Sequence, residues 1–165
     1  MRTFLLPALV ICGALLWLAG CDAQRVGKLE EGVATEADVR AQFGEPDAVY
    51  ADEDGSRTLE YPRQPEGQRN YMITIGPDGR MSALRQVLQP AVFAQVTPGL
   101  DKAQVRRLLG RPGKMQSFPL KDEEVWDWRY LDGNENRVFS VVFDPQGRVI
   151  DTASQIDPRE TQGGA

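Results

Sequence analysis

The chain of 165 residues carries 24 acidic and 19 basic side chains and no histidine, which gives a formal net charge of −5. This acidic balance argues against nucleic acid as a partner and against electrostatic adhesion to anionic lipid headgroups. Without histidine, the sequence excludes Ser-His-Asp and Cys-His catalysis and the usual zinc sites, so paired carboxylates are the enzymatic option that remains.

Residues 1–20 predict a secretory signal peptide. Arg2 supplies a short positive region, an apolar run extends from Phe4 to Leu18, and small residues precede Cys21. The run of about 15 residues is shorter than the roughly 20 that a helix needs to cross a bilayer. A permanent transmembrane anchor is therefore the weaker interpretation.

The segment Leu18-Ala19-Gly20-Cys21 resembles the lipobox of bacterial lipoproteins. The resemblance implies that Cys21 becomes the first residue and carries diacylglycerol on its thiol and an acyl chain on its amine. Two or three chains bind a membrane stably, whereas one binds only marginally. With Cys12 removed in the signal peptide, no disulfide is expected, and no cofactor is expected besides these acyl chains.

A lipidated tether over residues 21–25 leads into the first group of predicted elements. A helix capped by Thr35 carries Val39 and Phe43 on one face and ends at Gly44-Glu45-Pro46. Strands follow by alternation of apolar and polar residues, and a tight turn, Pro77-Asp78-Gly79-Arg80, closes the last hairpin.

A second copy of this pattern begins about 66 positions later. Its helix is capped by Asp101, carries Val105 and Leu109, and ends at Gly110-Arg111-Pro112. Its strands alternate through Trp126–Tyr130 and Phe139–Phe143, and its hairpin closes at Pro145-Gln146-Gly147-Arg148.

The repeated pattern predicts an α+β fold of two tandem modules, each with two short helices packed on a three-stranded antiparallel sheet. The modules are expected over residues 26–89 and 90–156. A polar, flexible tail is expected over residues 157–165.

The second copy resembles the BamE (SmpA/OmlA) family of small lipoproteins, and the first copy resembles it more weakly. The resemblance is carried by Phe93-x-x-Val96-x-x-Gly99-Leu100, Val105-x-x-Leu108-Leu109-Gly110-x-Pro112, and Val141-x-Phe143-Asp144-x-x-Gly147-x-Val149. It implies a non-enzymatic, protein-binding scaffold in the assembly of outer-membrane β-barrels, with envelope proteins of that machinery as partners. The tandem form is also similar to secreted β-lactamase inhibitor proteins, which implies the alternative of an inhibitor-like module that binds a periplasmic enzyme.

The resemblance implies a lipoprotein that is anchored in a membrane and faces the periplasm. Family resemblance favours the outer membrane. Asp22 follows the lipidated cysteine directly, and aspartate at that position tends to retain lipoproteins of enteric bacteria in the inner membrane. The sequence does not decide between the inner and the outer membrane.

No catalytic residue and no metal ligand is expected. The acidic clusters Asp52–Asp54 and Asp122–Glu124 lie in predicted loops, where solvated surface charge is the better interpretation. Residues 132–136 faintly resemble the start of a calcium loop, but Arg137 and Phe143 stand where such a loop needs glycine and glutamate. A hairpin turn explains this segment.

Two sets of residues are candidates for contact with a partner. Trp126, Trp128 and Tyr130 share one face of a strand, where they either fill the core or form an exposed anchor. Phe118 lies in a predicted loop and is a candidate exposed contact. The arginines at matched hairpin positions, Arg80 and Arg148, either bind an anion or follow a turn type that tolerates them.

Overall fold

The structure, a computed structural model, describes residues 22–162, with side chains for residues 22–160. The signal peptide and the lipidation site Cys21 lie outside this range. The helices are α1 Asp22–Val26, α2 Glu36–Phe43, α3 Pro90–Phe93, α4 Lys102–Leu109 and α5 Pro158–Gln162. The strands are β1 Ala48–Ala51, β2 Arg57–Pro62, β3 Asn70–Ile75, β4 Met81–Gln86, β5 Lys114–Phe118, β6 Glu123–Asp132, β7 Glu135–Phe143 and β8 Val149–Ile156.

The strands form two antiparallel sheets with the orders β1-β2-β3-β4 and β5-β6-β7-β8, called sheet 1 and sheet 2. The α+β class is confirmed. The prediction of three strands and two helices per module is wrong, since each sheet has four strands and α5 follows sheet 2. The additional strands, β1 and β5, are short edge strands with mostly exposed or half-buried side chains, so backbone pairing defines them more than apolar alternation does.

Helices α2 and α4 are built by the same local chemistry, as the sequence predicted. The Thr35 hydroxyl accepts from the Asp38 amide at 3.3 Å, and the Asp38 carboxylate accepts from the Thr35 amide at 2.8 Å. Asp101 and Gln104 form the same reciprocal pair in α4. These capping boxes satisfy amides that a helix N-terminus leaves without partners.

Backbone hydrogen bonds connect the segment before each of these helices to the last strand of the same sheet. In the second copy, the Gly99 amide donates to the Val149 carbonyl at 2.8 Å, and the Val149 amide donates to the Leu100 carbonyl at 2.8 Å. In the first copy, Gly32 donates to Met81 at 2.7 Å. Each long helix is therefore fixed over its own sheet by the strand farthest from it along the chain.

The apolar side chains form two cores. Alternate residues of sheet 1, including Leu59 and Ile73, pack beneath α2 in the first core. The second core lies between α4 and sheet 2. Met72, from the opposite face of sheet 1, belongs to the second core.

Helix α4 thus lies between the two sheets. Val105 and Leu109 pack with the core of sheet 2, whereas Arg106 reaches the outer face of sheet 1, where its guanidinium contacts Glu60 at 3.2 Å. The order of layers is α2, sheet 1, α4, sheet 2. The outer face of sheet 2, which is the face opposite α4, has no helix of this kind against it within residues 22–162.

The first residues of the segment that was expected to be a flexible tail do not form one. Asp157 is 2% exposed, its carboxylate accepts from the Arg129 guanidinium at 2.6 Å, and α5 follows it. The polar composition that suggested a tail instead supplies a partner for a half-buried arginine on β6.

Alanine at Gly110 tests how closely α4 packs against sheet 1. Gly110 and Gly44 both have backbone angles that other residues adopt only with strain, with φ of 75° and 82°, so alanine at either position is expected to cost about 1–3 kcal/mol. A Cβ at Gly110 would also lie 2.9 Å from the Asn70 amide nitrogen of sheet 1, whereas a Cβ at Gly44 meets nothing within 4 Å.

We therefore expect Gly110→Ala to be the more destabilising of the two by roughly 1 kcal/mol or more, because overpacking adds to the backbone strain. Denaturant unfolding of both variants measures the difference. Equal losses of unfolding free energy would contradict the close approach of α4 to sheet 1.

Candidate functional site

The aromatic stripe on β6 lies in the second core. Trp128 is 0% exposed, Tyr130 is 2% exposed and Trp126 is 8% exposed. Phe93 from α3 packs edge-on against the Tyr130 ring, with 4.7 Å between the ring centroids. Of the two interpretations of these residues, core packing describes their position, and the exposed anchor does not.

The indole N–H of Trp128, at the centre of the stripe, also faces inward. The Trp128 indole N–H donates to the Gly110 carbonyl at 3.0 Å, and the Tyr61 hydroxyl donates to the Gly44 carbonyl at 3.1 Å in the first copy. In each module a large aromatic residue of the sheet therefore satisfies the carbonyl at the end of the long helix. This shared bond explains why both copies need a bulky polar aromatic residue at that position.

Exposed apolar side chains gather on β5 and the turn after it. The exposed fractions are 60% for Met115, 41% for Phe118 and 103% for Leu120. Phe118 is exposed as expected, and its side chain lies on the outer face of sheet 2, since its paired position is Glu123 of β6. Whether Phe118 contacts a partner stays a prediction.

The matched hairpin arginines bind the protein's own backbone. Arg80 donates to the Val33 carbonyl at 2.9 Å, and Arg148 donates to the Gly99 carbonyl at 3.3 Å. Each arginine thereby ties its hairpin to the segment before α2 or α4. These contacts favour the structural interpretation over an anion site.

In each acidic cluster at least one carboxylate is engaged in a structural contact. Asp52 pairs with Arg107 of α4 and accepts from the Thr58 hydroxyl at 3.0 Å. Glu124 accepts from Lys102 at 2.6 Å, and hydrogen bonds from Lys102 and the Trp126 indole hold the pKa of its carboxyl below the usual range. Each cluster thus connects a strand or loop to α4.

The segment that faintly resembled a calcium loop forms the turn between β6 and β7, as the hairpin interpretation predicted. The Asn136 amide beside it donates to Glu160 at 2.6 Å. Within the described residues, no group of three or more aspartate, glutamate, cysteine or histidine side chains is placed to hold a metal ion.

The buried polar centre of the structure lies between the modules, at Glu60. This side chain is 0% exposed on the outer face of sheet 1. Its carboxylate accepts from the Arg106 guanidinium at 3.2 Å, from the Arg111 backbone amide at 2.8 Å and from the Tyr50 hydroxyl. Asp47 binds the same guanidinium at 2.7 Å. In the sequence, a charged residue between Leu59 and Tyr61 is typical of the solvent-facing side of a strand, so sequence reasoning missed this site.

Two amides of the first module extend the same interface. Asn70 is 0% exposed, and its side-chain nitrogen donates to the Leu109 carbonyl at 2.7 Å and to the Arg111 carbonyl at 3.1 Å. The Gln64 side chain donates to the Arg129 carbonyl at 2.8 Å and accepts from the Arg129 amide at 3.2 Å. These bonds satisfy backbone groups of the second module that have no partner in its own helices and sheet.

Asp22 is the first residue of α1. Its carboxylate accepts from the Arg63 guanidinium at 3.2 Å and lies 3.5 Å from the Arg25 guanidinium. Residues 22–25 of the expected tether are therefore helical and in contact with the loop after β2. The sorting role of Asp22 stays a prediction.

A recess of about 340 Å³ opens beside the outer face of sheet 2. Asp127 and Arg129 of β6 are among its lining residues. Pro65 of the first module and the start of α5 also line it. The recess therefore has both modules at its edge and carries side chains of both charges.

Comparison with known proteins finds no matching family model and no matching curated protein. Among solved structures, one described as a putative osmotically inducible lipoprotein OsmE is 20% identical, with a TM-score of 0.37, over 43% of this chain and 75% of that one. A DUF4309 family protein, YjgB from Bacillus subtilis, is 20% identical, with a TM-score of 0.31, over 78% of this chain and 82% of that one. At such low TM-scores, neither neighbour indicates what this chain does.

Replacing Arg106 with methionine should be strongly destabilising. The change keeps most of the side-chain volume but leaves Glu60 buried without its cation, which costs about 3 kcal/mol or more. Arg40→Met is the matched control, because Arg40 occupies the same position in α2 and pairs only with Glu36 and Glu45 near the surface. The control should lose about 0.5 kcal/mol. Urea unfolding compares the two, and similar losses would show that the interface does not depend on this ion pair.

The raised pKa of the Tyr50 hydroxyl leads us to expect that the protein loses stability at alkaline pH. Burial and the hydrogen bond to Glu60 raise the pKa of Tyr50 to about 12, against about 10 in an unfolded chain. Stability from the neutral hydroxyl is fully present below pH 10 and is lost as the pH rises towards 12. The unfolding free energy should therefore fall more steeply over this range than in Tyr50→Phe. The difference in phenolate absorbance between the folded parent protein and Tyr50→Phe measures the pKa of Tyr50, and an ordinary value would contradict the prediction.

Proposed function

We propose that this protein is a lipid-anchored lipoprotein of the bacterial envelope that faces the periplasm and acts by binding other proteins rather than by catalysis. The observation that carries the proposal is the segment Leu18-Ala19-Gly20-Cys21 after a short apolar run. Envelope assembly, including the assembly of outer-membrane β-barrels, is the favoured setting, and it rests on sequence resemblance.

The position of α1 supports a close association with the membrane surface. Helix α1 begins at Asp22, the residue after the proposed lipid attachment, and Asp22 contacts Arg63. A lipidated Cys21 would hold the first module near the bilayer, with little free chain between them. Such confinement raises the effective concentration of the protein near membrane partners. No helix of the described residues is long and apolar enough to cross a bilayer.

The distribution of side chains supports binding rather than catalysis. The carboxylates that the sequence offered for acid–base chemistry, such as Asp52 and Glu124, are engaged with basic residues of α4. Exposed apolar residues are instead found at the edge of sheet 2, at Met115, Phe118 and Leu120. A contiguous exposed apolar patch is typical of surfaces that contact other proteins, and these neighbouring residues are the proposed part of such a patch.

Replacing Cys21 with serine should release the protein from membranes, because serine cannot form the thioether to diacylglycerol. Membrane flotation and fractionation of producing cells measure the anchoring, and separation of inner from outer membranes locates it. Cys12→Ser is the matched control and should leave the protein on membranes. Retention of the Cys21→Ser variant on membranes would refute the lipid anchor.

Chemical cross-linking of the anchored protein in cells tests its partners. Subunits of the barrel-assembly machinery would support a role in envelope assembly, whereas a periplasmic hydrolase would support the inhibitor-like alternative. A protein that links to no envelope component, and whose loss leaves barrel-protein levels and membrane integrity unchanged, would not fit the proposed function.

A further inference from the structure

The outer face of sheet 1 shows how a sheet of this fold binds a helix on the side opposite its own core. Residues of β2 and β3 alternate between the two faces, so Glu60 and Met72 project away from the first core. Helix α4 lies on this face, with Arg106 bound to Glu60 and the Leu109 carbonyl bound to Asn70. An acidic strand residue paired with a helix arginine is the central contact.

The outer face of sheet 2 is the corresponding face of the second copy. The tyrosine and the tryptophan that bind the ends of α2 and α4, Tyr61 and Trp128, occupy equivalent positions. Each is preceded by an acidic residue, Glu60 and Asp127. Because Asp127 lies between two core tryptophans on β6, it projects from the face opposite α4. Asp127 is therefore the counterpart of Glu60.

Helix α5 extends the comparison. It begins with proline directly after sheet 2, as α3 does after sheet 1, and Pro90 and Pro158 are in matched positions of the two copies. Residues of α5 line the recess on the outer face of sheet 2. Within residues 22–162, no counterpart of α4 follows α5; Val125, Asp127 and Val142 at the centre of this face are half-buried, and Ala153 is exposed.

Asp127 retains the capacity to bind a cation. Its carboxylate accepts from the Ser140 hydroxyl at 2.6 Å. Lys114 is its paired position on β5, but within the described side chains no basic group comes close enough to Asp127 to form an ion pair. The neighbouring Arg129 is held by Asp157. Glu60, by contrast, has three donors, two of them from α4 and the residues after it.

Apolar residues beside Asp127 suit the apolar face of a helix. Val125 and Val142 are paired across β6 and β7 on the outer face, at positions where sheet 1 has the paired threonines Thr58 and Thr74. Phe118 lies on the same face and is 41% exposed. An amphipathic helix binds such a surface through apolar side chains spaced three and four apart.

A second copy of this chain does not supply a suitable helix. In α2, Glu36 and Glu45 stand where α4 has Lys102 and Arg111. Both glutamates pair with Arg40, the counterpart of Arg106. If α2 approached sheet 2 as α4 approaches sheet 1, carboxylates would face Asp127, which like-charge repulsion disfavours.

We propose that the outer face of sheet 2 binds an amphipathic, basic helix of another protein, with a lysine or arginine of that helix paired to Asp127 and its apolar side chains against Phe118, Val125 and Val142. The proposal rests on the proposed function in that it takes the partner to be a protein. It adds the surface, the secondary structure of the partner and the charge that the partner carries.

Site-specific photo-cross-linking in producing cells tests the proposal with the full-length, anchored protein. A photoreactive amino acid replaces Gln116 or Ala153, which lie on the outer face of sheet 2 on either side of Asp127. Replacement of Ala41, which is exposed on α2, is the control position. Mass spectrometry then identifies the linked segment of the partner.

The expected result is one protein segment, linked from both sheet positions and not from Ala41, whose sequence has helical apolar spacing and a lysine or arginine beside the apolar face. Asp127→Lys should lower the cross-link yield at least tenfold, and Asp127→Asn should lower it less. Asp132→Lys, the same change at the exposed end of β6, is the matched control and should leave the yield unchanged. Changing the identified basic residue to glutamate should restore the yield of Asp127→Lys.

Several results would overturn the proposal. These are no link from the sheet positions, a linked segment that is acidic or belongs to a second copy of this chain, and equal yields for Asp127→Lys and the parent protein. Thermal unfolding of Asp127→Lys shows that a lower yield does not come from loss of the fold. Links from Ala41 without links from the sheet face would leave protein binding intact and reject only this surface, whereas no protein linked from any position would reject the proposed function.

Discussion

Glu60 lies in a sheet without contact with solvent, and a carboxylate in such a position is stable only when charged and polar partners surround it. Its partners are Tyr50 on the neighbouring strand and two groups at the end of α4 in the other half of the chain. Separating the halves would leave this charge buried or exposed without its cation. The position of α4 against sheet 1 follows from that requirement, and so does the order of the layers.

The need to hold α4 between the two sheets also explains which side chains are engaged inside the protein and which remain able to bind a partner. Trp126 and Trp128, which looked most like contacts with a partner, are instead part of the second core. They hold the side of α4 that faces sheet 2, whereas Glu60 holds the side that faces sheet 1. The charged side chains of α4 likewise form contacts between the layers. The outer face of sheet 2 carries the same kind of acidic residue, Asp127, but among the helices of residues 22–162 no counterpart of α4 covers it.

Local chemistry made the helices and hairpins predictable from the sequence. The caps at Thr35 and Asp101 and the glycines that end α2 and α4 act within a few residues, so a single sequence is enough to find them. The edge strands β1 and β5 were missed because backbone pairing with the next strand defines them, and their mostly exposed or half-buried side chains show no apolar alternation. The interface was missed because Glu60 fits a strand whose polar residues face water, and nothing within the strand indicates that a helix about 46 residues away lies over it.

The position of Met72 gives the layered arrangement a further consequence. A side chain of sheet 1 completes the second core, so sheet 1 acts as a wall shared by two compartments. In proteins built from stacked units, stability is approximately the sum of what each unit contributes and what each contact between neighbours contributes. The first core is built from the first half of the chain alone, whereas the second core also needs Met72, so the stability of the second half depends on the first.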